Sequence, residues 1–186
     1  MTILGVIASS TRQGQVSGDT GAMFPIFATT VGTTSVSYIE FTSIPQTYTH
    51  LQIRFYAGFN TQPGFASGKS YLNGDTTNAN YKSHQLNGNG SGGSPTSTNY
   101  SVPYMPISTG PDGYPCSYVI DLLDYTSTTK NKTIRSLGGW DANGSGQIIL
   151  GSALWMNTNA VTSYRIQCDG GYSWKQFTSA ALYGIK

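Results

Sequence analysis

Few residues in this chain can do chemistry. Eight Asp+Glu, two His and two Cys are spread over 186 residues. His50 and His84 are the side chains able to accept a proton near neutral pH, and nucleophilic catalysis would need one of them beside a nucleophile and an orienting acid. No serine sits in a Gly-x-Ser-x-Gly elbow, and neither histidine has an acid close in sequence. Glycoside hydrolysis needs two facing carboxylates. Asp121 and Asp124 are three apart on an expected strand and so point to opposite faces, while Glu40 alternates outward between Ile39 and Phe41. Carboxylates from distant segments can still meet in space, which spacing along the chain does not test.

Three glycine-rich strings imitate binding loops. Gly64-Phe-Ala-Ser-Gly68-Lys69-Ser70 resembles a phosphate cradle, but the first required glycine falls at Pro63, and a strand rather than a helix follows. Gly88-Asn-Gly90-Ser-Gly-Gly93 matches a dinucleotide fingerprint as a string, inside a low-complexity run with no helix behind it. Asp141-Ala-Asn143-Gly-Ser145-Gly146 opens like a calcium loop, yet the twelfth position is Ser152, so a hairpin turn is the better reading. The expectation is no enzyme, no cofactor and no metal site.

Aromatic residues offer a different chemistry. Trp140, Trp155 and Trp174, with Tyr172, would stack on a sugar if exposed, although such rings more commonly fill a sandwich core or a subunit interface. Trp155 and Trp174 are therefore candidate interface residues, with a glycan as the lesser partner expectation. Cys116 and Cys168 each lie in an alternating apolar run and are expected as reduced, buried thiols. Two cysteines are too few for a disulfide framework.

Positioning these residues falls to strands. Leu51-Gln-Ile53-Arg-Phe55 and Tyr164-Arg-Ile166-Gln-Cys168 alternate with period two. Val36-Ser-Tyr38 into Ile39-Glu-Phe41 skips one residue, as at a bulge. Tyr118-Val-Ile120-Asp-Leu122 and Ile148-Ile-Leu150 read as more deeply buried strands. Turn signals fall between them, at Asn73-Gly-Asp75, Asn87-Gly-Asn-Gly90, Pro111-Asp-Gly113, Asn143-Gly-Ser-Gly146 and Asp169-Gly-Gly171. No segment can serve as a crossover helix. The fold class is all-β, an antiparallel β-sandwich of jelly-roll type. Residues 1–30 are an N-terminal strand and extended arm, with no strand pattern over Thr11–Thr30; residues 31–186 are a single sandwich domain. Gln13–Gly21 and Asn87–Thr98 read as long loops.

Composition narrows the partners. Only 10% of residues are charged, against about 25% in an ordinary soluble domain. A net charge of +2 with no cationic stripe beyond Lys130/Lys132/Arg135 predicts no nucleic-acid binding, and no apolar run is long enough for a membrane helix. The start, Met1-Thr-Ile-Leu-Gly-Val-Ile-Ala, lacks the charged region of a signal peptide.

Ile39-Glu-Phe-Thr-Ser-Ile-Pro-Gln-Thr-Tyr-Thr-His-Leu51, Ala153-Leu-Trp-Met-Asn-Thr-Asn-Ala-Val-Thr-Ser163 and Ala181-Leu-Tyr-Gly-Ile-Lys186 together resemble a group of tailed-bacteriophage virion proteins. The likeness runs from about residue 36 to 186, is weakest over Gln62–Ser117, and does not extend to Thr11–Thr30. It implies a jelly-roll or sandwich module on the phage particle, assembled in the host cytoplasm. The first expectation is a capsid decoration or cement protein bound to the outer head surface. A tail or fibre component and a carbohydrate-binding receptor module are the alternatives. The implied partners are the major capsid protein or other virion proteins. No catalytic residues come with the group. Physically, Pro45 stops one ladder, Ile44 and Tyr48 anchor the turn, and Gly184 permits a close backbone approach.

Exposed strand edges with few protecting Lys or Asp, and 13 Tyr with 3 Trp in the chain, predict a homo-oligomer, a trimer first. Met23, Phe24, Ile26 and Phe27 are candidate interface residues of the arm, reaching a neighbouring subunit or the shell.

Overall fold

The computed structural model describes residues 22–59, 66–89, 104–109 and 114–186. Gln13–Gly21, most of the Asn87–Thr98 loop and the Pro111–Gly113 turn lie outside them, as does Pro63 of the phosphate-loop look-alike. The described residues form eleven strands: β1 (Met23–Thr30), β2 (Tyr38–Phe41), β3 (His50–Ala57), β4 (Ala66–Leu72), β5 (Tyr81–Gly88), β6 (Tyr104–Thr109), β7 (Cys116–Leu123), β8 (Lys132–Asp141), β9 (Gly146–Trp155), β10 (Tyr164–Cys168) and β11 (Ser179–Ile185). One short 3-10 turn precedes β5.

Two antiparallel sheets face each other. Seven strands run β1-β11-β3-β7-β8-β9-β5, and four run β2-β10-β4-β6. The chain is thus a β-sandwich, as the period-two patterning predicts. Alternation sets the layers: Leu51, Ile53 and Phe55 of β3 point inward with Tyr118, Ile120 and Leu122 of β7, and meet Ile39, Phe41, Tyr164 and Ile166 from the smaller sheet. Phe55 packs edge-on against Trp174 with centroids 5.1 Å apart, and Phe59 stacks on the same indole at 4.7 Å. At the other end Tyr81 stacks on Trp155 at 6.4 Å.

Three local expectations are corrected. From Met23 onward the presumed patternless arm is a strand, in register with β11 from Met23↔Ile185 to Thr30↔Ser179. Its alternation is hidden because Pro25 supplies no ladder N–H and the register shifts between Pro25 and Phe27. The skip before Ile39 is a break at Ser37 rather than a bulge: Val36 makes an isolated bridge to Trp174 and β2 starts at Tyr38. At Gly184 the close approach comes from a side chain. A Cβ there would fall 2.3 Å from the Tyr48 ring, which lies over the glycine and stacks on Phe24. Ile44 is buried as anticipated.

Candidate interaction surface

Strand β1 carries the four apolar candidates of the arm. Met23 and Phe27 are exposed. Phe27 pairs with buried Leu182 and meets Phe41 edge-on at 5.7 Å, so it overhangs the open side of the core. Phe24 lies between Tyr48, at 5.6 Å, and the Lys186 ammonium, 4.8 Å above its ring. Ile26 packs against the core. All four are tied to this chain's own sandwich by the β1–β11 ladder.

Trp155 and Trp174 are 1% and 0% exposed, which corrects their assignment to a contact surface. Each indole fills the core and satisfies its N–H internally, Trp155 on Asp75 Oδ2 at 2.8 Å and Trp174 on the Ile166 carbonyl at 3.2 Å. Trp140 is buried too, so these three rings present no platform to a sugar.

The polar candidates resolve into structural clamps. His50 accepts the Asp124 backbone N–H at Nδ1 (2.9 Å), while the Asp124 carboxylate lies 3.6 Å from that nitrogen and takes the Lys130 ammonium at 2.7 Å. Lys130 holds the Asp124 carboxyl below its usual range, first by its hydrogen bond and then by its charge. With Nδ1 occupied as an acceptor, His50 fastens the turn after β7 to the start of β3. Asp121 accepts from Gln52 Nε2 at 2.9 Å on the sheet face, whereas Asp124 stands in the turn that follows β7. Glu40 binds Arg165 at 3.2 Å, and that guanidinium covers the Tyr38 ring. His84 is exposed on β5.

The calcium-like string is a hairpin. Asp141 Oδ1 accepts from Asn143 N, and Ala142 N donates to Ser145 O. Asn143 and Gly144 take the positive φ values of 52° and 108° that such turns demand. No group of three or more metal-ligating side chains occurs among the described residues. Cys116 and Cys168 are free and buried, and burial pushes the Cys116 thiol up to about 12.

Two polar centres, one buried and one half-buried, have no signature in the sequence. Lys132, read as part of a basic cluster, is fully buried and donates to the carbonyls of Ser127, Lys130 and Thr158 at 2.7, 2.7 and 3.0 Å. Asp75 takes hydrogen bonds from Trp155 Nε1, Asn80 Nδ2 and Thr77 N. Burial raises its carboxyl pKa, but these donors outweigh that and leave it below the usual range.

Among the described residues, the outer face of the seven-stranded sheet is open to a partner. Cross-strand register sets Arg54, Val119, Leu137, Leu150 and Leu86 in one row across β3, β7, β8, β9 and β5. All five are exposed, Leu137 by 55%. Beside it runs a polar row of Gln52, Asp121, Arg135, Ser152 and His84. On the opposite side stand Tyr56, Ser117, Gly139 and Ile148, the last 67% exposed. A shallow depression of about 430 Å³ over β1, β11, β3 and β7 continues this surface, lined by Arg54, Tyr56, Val119 and Ala181 among others. Sequence reading expects Ile148-Ile-Leu150 and Tyr118-Val-Ile120 to be buried, yet only Ile149, Tyr118 and Ile120 are. Apolar runs that do not alternate were the available signal for this face. No family model matches the chain, and neither curated proteins nor solved structures give a match to it.

Proposed function

We propose that this chain is a non-enzymatic structural protein of a tailed-phage virion, decorating the outer surface of the head. The observation that carries the reading is the strand order. Setting aside β5 and the β8–β9 hairpin, successive strands change sheets at every step except from β4 to β6, which pair with each other, and leave β1-β11-β3-β7 opposite β2-β10-β4-β6. That order is the one a jelly roll would have, an architecture common in viral shell proteins and lectins. Fold analogy sets only a class. The resemblance of residues 39–51, 153–163 and 181–186 to phage virion proteins narrows it, and these segments form the β2–β3 turn, the path from β9 to β10, and β11. A low charge content suits a surface that packs against neighbours, since burying unpaired charge is costly.

Quantitative mass spectrometry of purified particles of the encoding phage tests this. A copy number comparable to the major capsid protein is expected. A handful of copies would move the assignment to the tail or a fibre, and absence from the particle would end the virion reading.

A further inference from the structure

We infer that Asn143 is a self-modification site: in the folded chain its side-chain amide is lost to attack by the Gly144 backbone nitrogen, leaving aspartate or isoaspartate at the tip of the β8–β9 hairpin. This does not depend on the virion assignment.

An Asn-Gly pair is the one most open to this attack, because glycine has no Cβ to hinder the ring that forms. The sequence holds such pairs at residues 73–74, 87–88, 89–90 and 143–144. All but 89–90 lie wholly within the described residues, and the fold treats them differently. Two requirements decide which can react. The glycine N–H must be free to lose its proton, and the asparagine Cγ must be free to turn toward that nitrogen.

Asn143 meets both. It and Gly144 are exposed at the hairpin tip. The Ala142 N–H closes the turn on the Ser145 carbonyl at 2.7 Å, and Asp141 Oδ1 takes the backbone N–H of Asn143 at 2.8 Å. The turn is thereby held, yet neither the Gly144 N–H nor the Asn143 side-chain amide makes a hydrogen bond among the described residues. A Cβ built on Gly144 would meet nothing within 4 Å, so the ring closes in open space.

Asn73 is the internal control. Asn73 and Gly74 have φ of 51° and 69°, the same left-handed region as the 52° and 108° of Asn143 and Gly144. The Asn73 amide, however, is tied at both ends. Its Nδ2 donates to the Ala160 carbonyl at 2.8 Å, and its Oδ1 accepts the backbone N–H groups of Thr162 and Ser163 at 2.8 and 3.2 Å. Releasing two such bonds before attack slows the reaction on the order of 30-fold. Asn87 and Gly88 are held by the β5–β9 ladder, opposite Ile149 and Ile148, and turning the backbone between them would break its end.

The chemistry needs only water and hydroxide. Hydroxide takes the Gly144 N–H proton, the nitrogen bonds to Asn143 Cγ, and the Cγ–Nδ2 bond breaks as Nδ2 leaves as ammonia with a proton from water. Water then opens the cyclic imide at either carbonyl. One product is aspartate; the other is isoaspartate, with the main chain routed through Cγ. Each event removes one unit from the formal charge of +2 and sets a second carboxylate beside Asp141.

Peptide mapping by mass spectrometry tests this on the full chain held at mildly alkaline pH, with circular dichroism to show that it stays folded and a parallel sample in guanidinium chloride. In the folded protein Asn143 should convert at least about tenfold faster than Asn73 or Asn87, and denaturant should bring all three within about threefold of one another. Asn143→Gly, which suits the turn, should remove most of the early acidic species seen by isoelectric focusing. A folded-state ratio below tenfold overturns the proposal, as does an Asn143 that stays intact while the denatured chain reacts. The same selectivity in denaturant, or an acidic species undiminished in Asn143→Gly, overturns it too. Each of these failures leaves the virion assignment standing.

Discussion

Replacing Lys132 by Met keeps most of the side-chain volume and removes the ammonium, which isolates what that charge does. Lys132 Nζ ties together three backbone segments, the turn after β7 through Ser127, the approach to β8 through Lys130, and the path from β9 to β10 through Thr158. Hydrogen bonds to a charged group contribute about 1.5–3 kcal/mol each, so three set a gross upper range of roughly 4–9 kcal/mol. Two terms reduce it. Taking an ammonium out of water is costly, which is why burial lowers the Lys132 pKa. Lys130 and Thr158 are exposed residues, so water can reach their carbonyls once the ammonium is gone. A net loss of about 2–4 kcal/mol remains for Lys132→Met, read as the midpoint shift in urea at unchanged m-value. Thermal melts should fall by roughly 4–16 °C for a chain of this size. Lys132→Arg should also destabilise, because a planar fork cannot aim at three carbonyls converging on one point. A Met variant within about 0.5 kcal/mol of wild type, the range of an ordinary surface change, would refute the claim that this lysine anchors the three segments.

Two further outcomes follow from the geometry. Asp75 has a folded pKa below its unfolded value, so its stabilisation is present above about pH 4 and is lost as pH falls through the lower folded value; the stability gap between wild type and Asp75→Asn in urea should narrow from pH 7 to pH 3, and a pH-independent gap would count against the Trp155–Asp75 centre. Gly184→Ala should cost about 1–3 kcal/mol through its clash with the Tyr48 ring, and much less in a Tyr48→Ala background; equal costs in both backgrounds would show that the ring is not what limits the position.

Strands that bury one face only are legible in this sequence, and Leu51-Gln-Ile53-Arg-Phe55 shows why: the solvent side is polar, so period two is visible. β1 is not legible because proline and a register shift break the period. β4 (ASGKSYL) is not legible because small and polar residues fill its inner face as well, Gly68 and Ser70 among them. The outer face fails for the opposite reason: with Val119, Leu137 and Leu150 apolar on the water side, the pattern imitates a strand buried on both sides. Lys132 and Asp75 are centres made by backbone carbonyls and a distant indole, and neither leaves a mark on neighbouring residues in the chain.

The β1–β11 ladder has a mechanical consequence. Met23 lies opposite Ile185 in antiparallel register, so tension applied between the two ends of the sandwich acts on one end of a single two-strand zipper. Such a load opens hydrogen-bonded pairs one after another from Met23 toward Thr30, instead of shearing all of them together. Pulled through these points, the protein peels at its β1 edge while the Phe55–Trp174 centre stays closed. Pulled through one end and the β8–β9 turn, it would load five neighbouring strands at once and resist far more.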